Sequence, residues 1–255
     1  MGQDWLSLLM LFGVSVVPGA LWLVYFYRKD KYEAEPPALV AKVFFVGALM
    51  IIPAGIIETP LRDILTNPPS FSALLLACIL GIGLIEEYLK YWAVRRTVFH
   101  RPEFNEPVDG VIYGISAGLG FAAFENAMYA TSYGLQVGAM RAVLTSIVHA
   151  SFSGIVGFAV GLAKFLPKPV QMPVIGRAIL VAAVLHGLYD FLLITDLMNF
   201  YLTVLVVVFL YGALIARIRA ALALSPFGGG RARITDVDDD DSGSDSQGPD
   251  NDGVS

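Results

Sequence analysis

The sequence predicts an all-α fold: a polytopic bundle of about seven transmembrane helices with a disordered acidic C-terminal tail. Three observations carry that expectation. Hydrophobic residues make up 56% of the 255-residue chain and charged ones only 15%, whereas about a quarter of a soluble domain is charged. Seven stretches, roughly 4–27, 38–58, 71–94, 108–132, 142–165, 174–196 and 199–218, are mostly apolar. At ~1.5 Å per residue, about 20 residues cover the ~30 Å hydrocarbon core. Finally, the acidity is local. Residues 231–255 hold eight Asp and two Arg, so the net charge of -5 leaves the other 230 residues at +1. With no basic face, nucleic-acid binding is excluded as a main task. The mean hydropathy of +0.66 excludes an ordinary soluble enzyme.

The first stretch has only Asp4 before its apolar run, and Arg28, Lys29 and Lys31 follow it. A cleaved signal has a basic start and a shorter core, so a retained helix is expected, kinked at Pro18. The second and third stretches are plain spans until the third reaches Glu86-Glu87-x-x-Lys90. The fourth carries Gly110, Gly114, Gly118 and Ala122 at every fourth position, extended by Asn126. Such a stripe lets a second helix approach closely. The fifth places His149, Ser153, Gly157 and Gly161 on one row, and the sixth pairs His186 with Asp190 one turn on. After the seventh, large apolar residues nearly vanish from Ser225 onward. The chain therefore divides into a membrane domain, 1–222, and an acidic tail, 223–255, that cannot bury a core. A single cysteine, Cys78, allows no disulfide within the chain.

Basic residues set the expected orientation. Arg28, Lys29, Lys31, Arg95, Arg96, Arg101, Lys164, Lys168, Arg177, Arg217, Arg219, Arg231 and Arg233 fall on one side of the seven spans, and Arg62 and Arg141 on the other. The positive-inside rule then puts the N-terminus outside and the C-terminus, with its tail, in the cytoplasm.

The residues that point to function are ionisable groups within the spans: Glu86, Glu87, Lys90, Asp109, Glu125, His149, His186 and Asp190. A charged residue near a helix centre costs ~2.5–3.5 kcal/mol, and several unpaired ones on the order of 10 kcal/mol. They persist only if they face one another or an aqueous cavity. Glu86, Glu125, His149 and His186 fall at similar depths, within a slab of roughly 10 Å at ~1.5 Å per residue. Lys90 lies at i+4 from Glu86 and i+3 from Glu87, so it can hold one carboxylate and leave the other as a base. Asp190 can fix the tautomer of His186, and Asn126 can orient a neighbouring carboxylate or histidine. No Gly-x-Ser-x-Gly, phosphate-loop or His-Glu-x-x-His motif occurs.

Four blocks, Glu86-Glu87-x-x-Lys90, Phe121-x-x-x-Glu125-Asn126, His149 and His186-x-x-x-Asp190, together with the stretch Gly118–Tyr129, resemble the PrsW family of intramembrane proteases. That family lies within a wider superfamily that includes the CAAX-prenyl proteases. The blocks fall in about residues 80–192. The CAAX branch has Phe-x-x-x-His and His-x-x-x-Asn where this chain has Glu125 and Asp190, which argues against prenyl-protein processing. The resemblance implies an endopeptidase of the bacterial cell membrane that cuts a membrane-associated protein, such as an anti-sigma-factor-type regulator.

Two mechanisms stay open at this point. In a metal-free one, Glu86 or Glu87 activates water and His149 and His186 stabilise the oxyanion. In a metal-assisted one, His149, His186 and Glu125 hold Zn²⁺ and Glu86 is the base. The expected catalytic set is thus Glu86, Glu87, Glu125, His149 and His186, supported by Lys90, Asn126 and Asp190. The expected partners are a membrane-protein or peptide substrate and the lipid bilayer. Two other classes use similar residues: a proton- or ion-coupled transporter, whose usual internal repeat is not visible here, and a non-catalytic membrane scaffold.

Overall fold

A computed structural model describes residues 5–228. Nearly all of the acidic tail, including Asp238–Asp241, lies outside the described residues. Among the described residues every regular element is a helix. In chain order they are α1 (Trp5–Tyr27), α2 (Pro37–Leu49), α3 (Ile51–Glu58), α4 (Arg62–Thr66), α5 (Phe71–Leu76), α6 (Leu84–Thr97), α7 (Pro107–Tyr133), α8 (Leu135–Lys164), α9 (Lys168–Ile194) and α10 (Phe200–Ala223). A 3₁₀ turn, Thr59–Leu61, joins α3 to α4, and a π-helical stretch, Ala77–Gly83, joins α5 to α6.

Combined across these joints, the helices give seven segments long and apolar enough to cross a membrane. Three run well past their expected spans: the second reaches Thr66 instead of stopping at 58. α8 starts at Leu135, and α9 starts at Lys168. The cause lies in the ends: a helix continues through polar residues until backbone chemistry stops it. α7 stops at Gly134, whose φ of 97° suits a residue without a Cβ, and α8 begins immediately after it. Pro107 and Pro169 sit in the first turns of α7 and α9, where no N–H is required. Ser70 and Asn199 cap α5 and α10 by accepting backbone N–H bonds at 3.2 and 2.9 Å. Pro18 lies inside a continuous α1.

α7 is the central helix. Its most apolar window is 94% buried, against 17% for α1 and 22% for α10. It packs on α8, α2 and α1, and α8 in turn packs on α9 and α10. The small-residue rows of α7 and α8 form their shared seam. A Cβ added at Gly118 would lie 2.8 Å from the His149 carbonyl oxygen and 2.6 Å from Ser153 Oγ, closer than packed atoms allow. The seam therefore holds α8 near enough for His149 to reach the groups on α6. Leu9, Phe12, Leu205 and Phe209, on the outer faces of α1 and α10, are exposed, as lipid-facing residues must be.

Candidate active site

Five elements meet at one depth. α6 supplies Glu86, Glu87 and Lys90; α7 supplies Glu125; α8 supplies His149; α9 supplies His186 and Asp190; and α3 ends there at Glu58. The π-helical stretch immediately before α6 packs against α9. A Cβ on Gly187 would stand 2.5 Å from the Cys78 carbonyl oxygen. This glycine lets α9 lie against the widened backbone and carries His186 to Glu87.

Lys90 is the hub. Its ammonium is buried and donates to Glu86 Oε2 at 3.0 Å, to Glu87 Oε1 at 2.8 Å and to His149 Nδ1 at 2.9 Å. Three N–H groups meet three acceptors, with the Phe121 ring centroid 4.4 Å from the nitrogen. A buried cation needs this degree of satisfaction.

Each histidine has a carboxylate at one nitrogen. His149 Nε2 lies 3.0 Å from Glu125 Oε2, and His186 Nδ1 lies 3.0 Å from Glu87 Oε1. The Glu87 carboxylate accepts from His186 Nδ1, whereas Glu125 Oε2 stands beside His149 Nε2 without completing a hydrogen bond among the described residues. The other nitrogens, His149 Nδ1 and His186 Nε2, face Glu86 Oε2 at 4.0 and 3.7 Å. Glu86, His149 and His186 are buried, and one donor atom from each lies within 4.8 Å of the others.

The other expected residues divide into two groups. Glu125 is brought in, but against the far nitrogen of His149, and its Oε1 accepts from Arg141 at 2.8 Å. Asp190 Oδ2 stands 3.6 Å from His186 Nε2, so Glu87 and not Asp190 fixes that ring. Glu87 is fully enclosed, with Ser153 Oγ 3.4 Å from its second oxygen. Asn126 is buried but bonds Thr145 at 3.1 Å and reaches no site carboxylate among the described residues. Asp109 lies in the first turn of α7, in a different cluster.

Two participants escaped the sequence reading. Arg141, expected in an outer loop, lies in α8 beside Glu125 and stacks 3.6 Å from the Tyr129 ring centroid. Its signal was the i, i+4, i+8 run Arg141, Thr145, His149. Glu58 is the last residue of the second apolar stretch, 38–58. Its Oε1 is buried without a hydrogen-bond partner among the described residues, and it feels the charges of Glu86, Glu125, Lys90 and His186.

Five carboxylates (Glu58, Glu86, Glu87, Glu125, Asp190) thus surround two permanent cations, Lys90 and Arg141. The donors fit a divalent cation: a carboxylate and two imidazoles whose outer nitrogens face carboxylates form a usual zinc environment.

Fold and site together define a multi-pass membrane protein with a buried carboxylate–histidine centre, the arrangement of a membrane-embedded hydrolase. Residues 35–222 match the family described as PrsW family intramembrane metalloprotease. The chain is similar to Protease PrsW of Geobacillus kaustophilus, with 38% identity over 186 residues covering 72% of this chain and 80% of that protein. It is similar to Protease PrsW of Bacillus subtilis at 33% identity (72% and 82% covered) and of Clostridioides difficile at 29% (73% and 80%). No solved structure matches it. The chain belongs to the PrsW family and is an integral multi-pass membrane protease, a hydrolase of peptide bonds.

Proposed function

We propose that the protein cleaves a membrane-associated protein substrate at a centre built around Glu86, His149 and His186, which would hold a Zn²⁺-type ion. The observation that carries this reading is the matched pair of histidines. Each has a carboxylate oxygen 3.0 Å from one nitrogen and turns its other nitrogen toward Glu86. The ion, when bound, supplies Lewis-acid activation of water and of the scissile carbonyl. The chain's own residues do the rest. Glu87 fixes the His186 ring, Glu125 stands beside His149, Arg141 holds Glu125, and Lys90 neutralises the Glu86–Glu87 pair. Asp190 Oδ2 makes no hydrogen bond among the described residues and is the free carboxylate beside His186, placed to take a proton from water.

An apolar groove of about 500 Å³, lined by Ile57, Leu61, Ala77, Leu80 and Ile85 among others, runs beside the site. Ile57 and Ile85 are the chain neighbours of Glu58 and Glu86, so the groove suits an unwound apolar peptide arriving from the bilayer. An anti-sigma-factor-type regulator in a bacterial cell membrane is the specific substrate we infer. The positive-inside pattern supports an outside N-terminus and a cytoplasmic tail separate from the catalytic body.

One observation favours a metal-free reading of the same centre: the Lys90 ammonium already occupies the lone pair of His149 Nδ1. Glu86 is then the base and the histidines bind the oxyanion. Both readings predict that Glu86→Gln abolishes cleavage. The decisive experiment compares new protein N-termini in membranes from cells with wild type and with Glu86→Gln, alongside the metal content of the purified chains. About one Zn per chain, lost in His149→Ala and His186→Ala, supports the metal centre. Full activity without metal overturns it, and identical N-termini overturn the cleavage role of Glu86.

A further inference from the structure

Far from this centre, a second set of buried carboxylates makes no ion pair among the described residues. The loop between α1 and α2 keeps Lys31 to Ala34 exposed, but turns Asp30 and Glu35 inward, to 8% and 2% exposure. They meet Glu106 and Asp109 at the start of α7, both fully buried. Glu125 lies 16 residues further along α7, which at ~1.5 Å per residue is roughly 24 Å.

Part of the cluster has ordinary structural work. Asp109 Oδ2 accepts the backbone N–H groups of Asn105 and Glu106 at 2.7 and 2.8 Å. Glu35 Oε2 accepts from the Tyr113 hydroxyl. Glu106 also caps α7 by accepting the Asp109 backbone N–H, but both oxygens of Asp30, Oδ1 of Asp109 and Oε1 of Glu35 are buried without a hydrogen-bond partner among the described residues. Among the described residues no lysine or arginine forms an ion pair with any of the four. One oxygen each from Asp30, Glu106 and Asp109 lie within 4.8 Å of one another. Buried orphan oxygens in this number are too costly to persist uncompensated. As free acids they resist ionisation: burial pushes Asp30 up to about 6 and Glu35 up to about 7.

We propose that Asp30, Glu106 and Asp109, backed by Glu35, form a binding site for a hard divalent cation of the Ca²⁺ class. Three converging carboxylates, with the orphan oxygens beside them, suit the six to eight oxygen ligands that Ca²⁺ takes, whereas Mg²⁺ keeps several waters and wants fewer protein ligands. A bound ion would tie the α1–α2 loop to the first turn of the central helix. The donor set holds no nitrogen or sulfur, so it differs in kind from the histidine centre and selects a different metal.

The test uses the full chain in detergent, with all eight Asp of residues 231–255 changed to Asn so that the tail contributes no binding. Radioactive Ca²⁺ binding and the thermal midpoint are measured after treatment with a calcium-selective chelator. The expected result is about one Ca²⁺ per chain and a midpoint raised by about 5–10 °C at a hundredfold excess over Kd. Asp30→Asn with Glu106→Gln should lose both responses. Because that pair of changes removes buried repulsion, the variant should fold at least as well without Ca²⁺. Glu86→Gln should bind Ca²⁺ as wild type does. Absence of binding, binding unchanged in the double variant, or tighter binding of Mg²⁺ than of Ca²⁺ would each overturn the proposal.

Discussion

Glu87 Oε1 lies 3.0 Å from His186 Nδ1 and 2.8 Å from the Lys90 ammonium, so one enclosed oxygen both aims a ring and anchors a buried cation. Its neighbour Glu86 has the same side chain and a different environment. Glu86 faces the open Nε2 of His186 and, at 4.0 Å, the His149 Nδ1 that Lys90 holds, while Glu87 faces inward to Ser153.

Glu87→Gln should therefore act through His186 and not through loss of a reacting group. Metal affinity should fall about 10–100-fold, the usual cost of removing a partner behind a ligand, with cleavage partly restored by added Zn²⁺. Glu86→Gln should show no such restoration. Zn titration of cleavage in the two variants separates these roles.

Glu58 turns a buried oxygen without a hydrogen-bond partner among the described residues toward the centre and holds neither histidine. Glu58→Gln is expected to lower turnover by about 10–100-fold while metal content stays at the wild-type level. Equal loss of metal would instead make it part of the ligand set. Metal analysis beside initial rates decides this.

Arg141→Met leaves the half-buried Glu125 without its cation and should destabilise the protein by about 1–3 kcal/mol. Glu125→Gln should cost less, and the double variant less than the sum, since the two groups touch at 2.8 Å. Denaturation midpoints of the four proteins form the test.

The α7–α8 seam should be intolerant at Gly118. Gly118→Val must displace His149 and Ser153, and activity should fall sharply even where the protein still assembles. Gly176→Ala meets nothing within 4 Å and should be silent. Activity per folded molecule, compared for the two, checks the seam.

Stability without cation should depend on pH through the second cluster. Burial raises Asp30 from an ordinary 3.8 to about 6 and Glu35 from 4.5 to about 7. Carboxyls raised in this way favour the fold while protonated. Their contribution is fully present below about pH 4 and is lost as pH rises to about 7. The thermal midpoint of chelated protein should fall over that window, and Asp30→Asn should flatten part of the fall.

The sequence made much of this legible because membrane spans leave few innocent places for charge. Glu86, Glu87, Lys90, Glu125, His149, His186 and Asp190 stood out against apolar surroundings, and their helices do bring them together. Residues near span ends carried no such contrast. Glu58 and Arg141 looked like ordinary boundary charges, and their roles depend on how far α3 and α8 extend. Asp109 was misleading for the complementary reason: α7 is long enough to serve two clusters at its two ends. Which nitrogen of each histidine faces Glu86 depends on ring orientation, which no spacing encodes.

The π-helical stretch Ala77–Gly83 sets the phase of everything after it. Its wider winding accommodates about one residue more than an α-helix would over the same rotation. A single-residue deletion inside it can therefore be absorbed by reversion to regular α winding, with Glu86 still pointing inward. The same deletion between Leu84 and Lys90 has no such slack and would turn the carboxylates and the lysine toward different neighbours. Tolerance to length change should thus switch within a few residues, marking where the chain stops being a membrane anchor and becomes catalytic machinery.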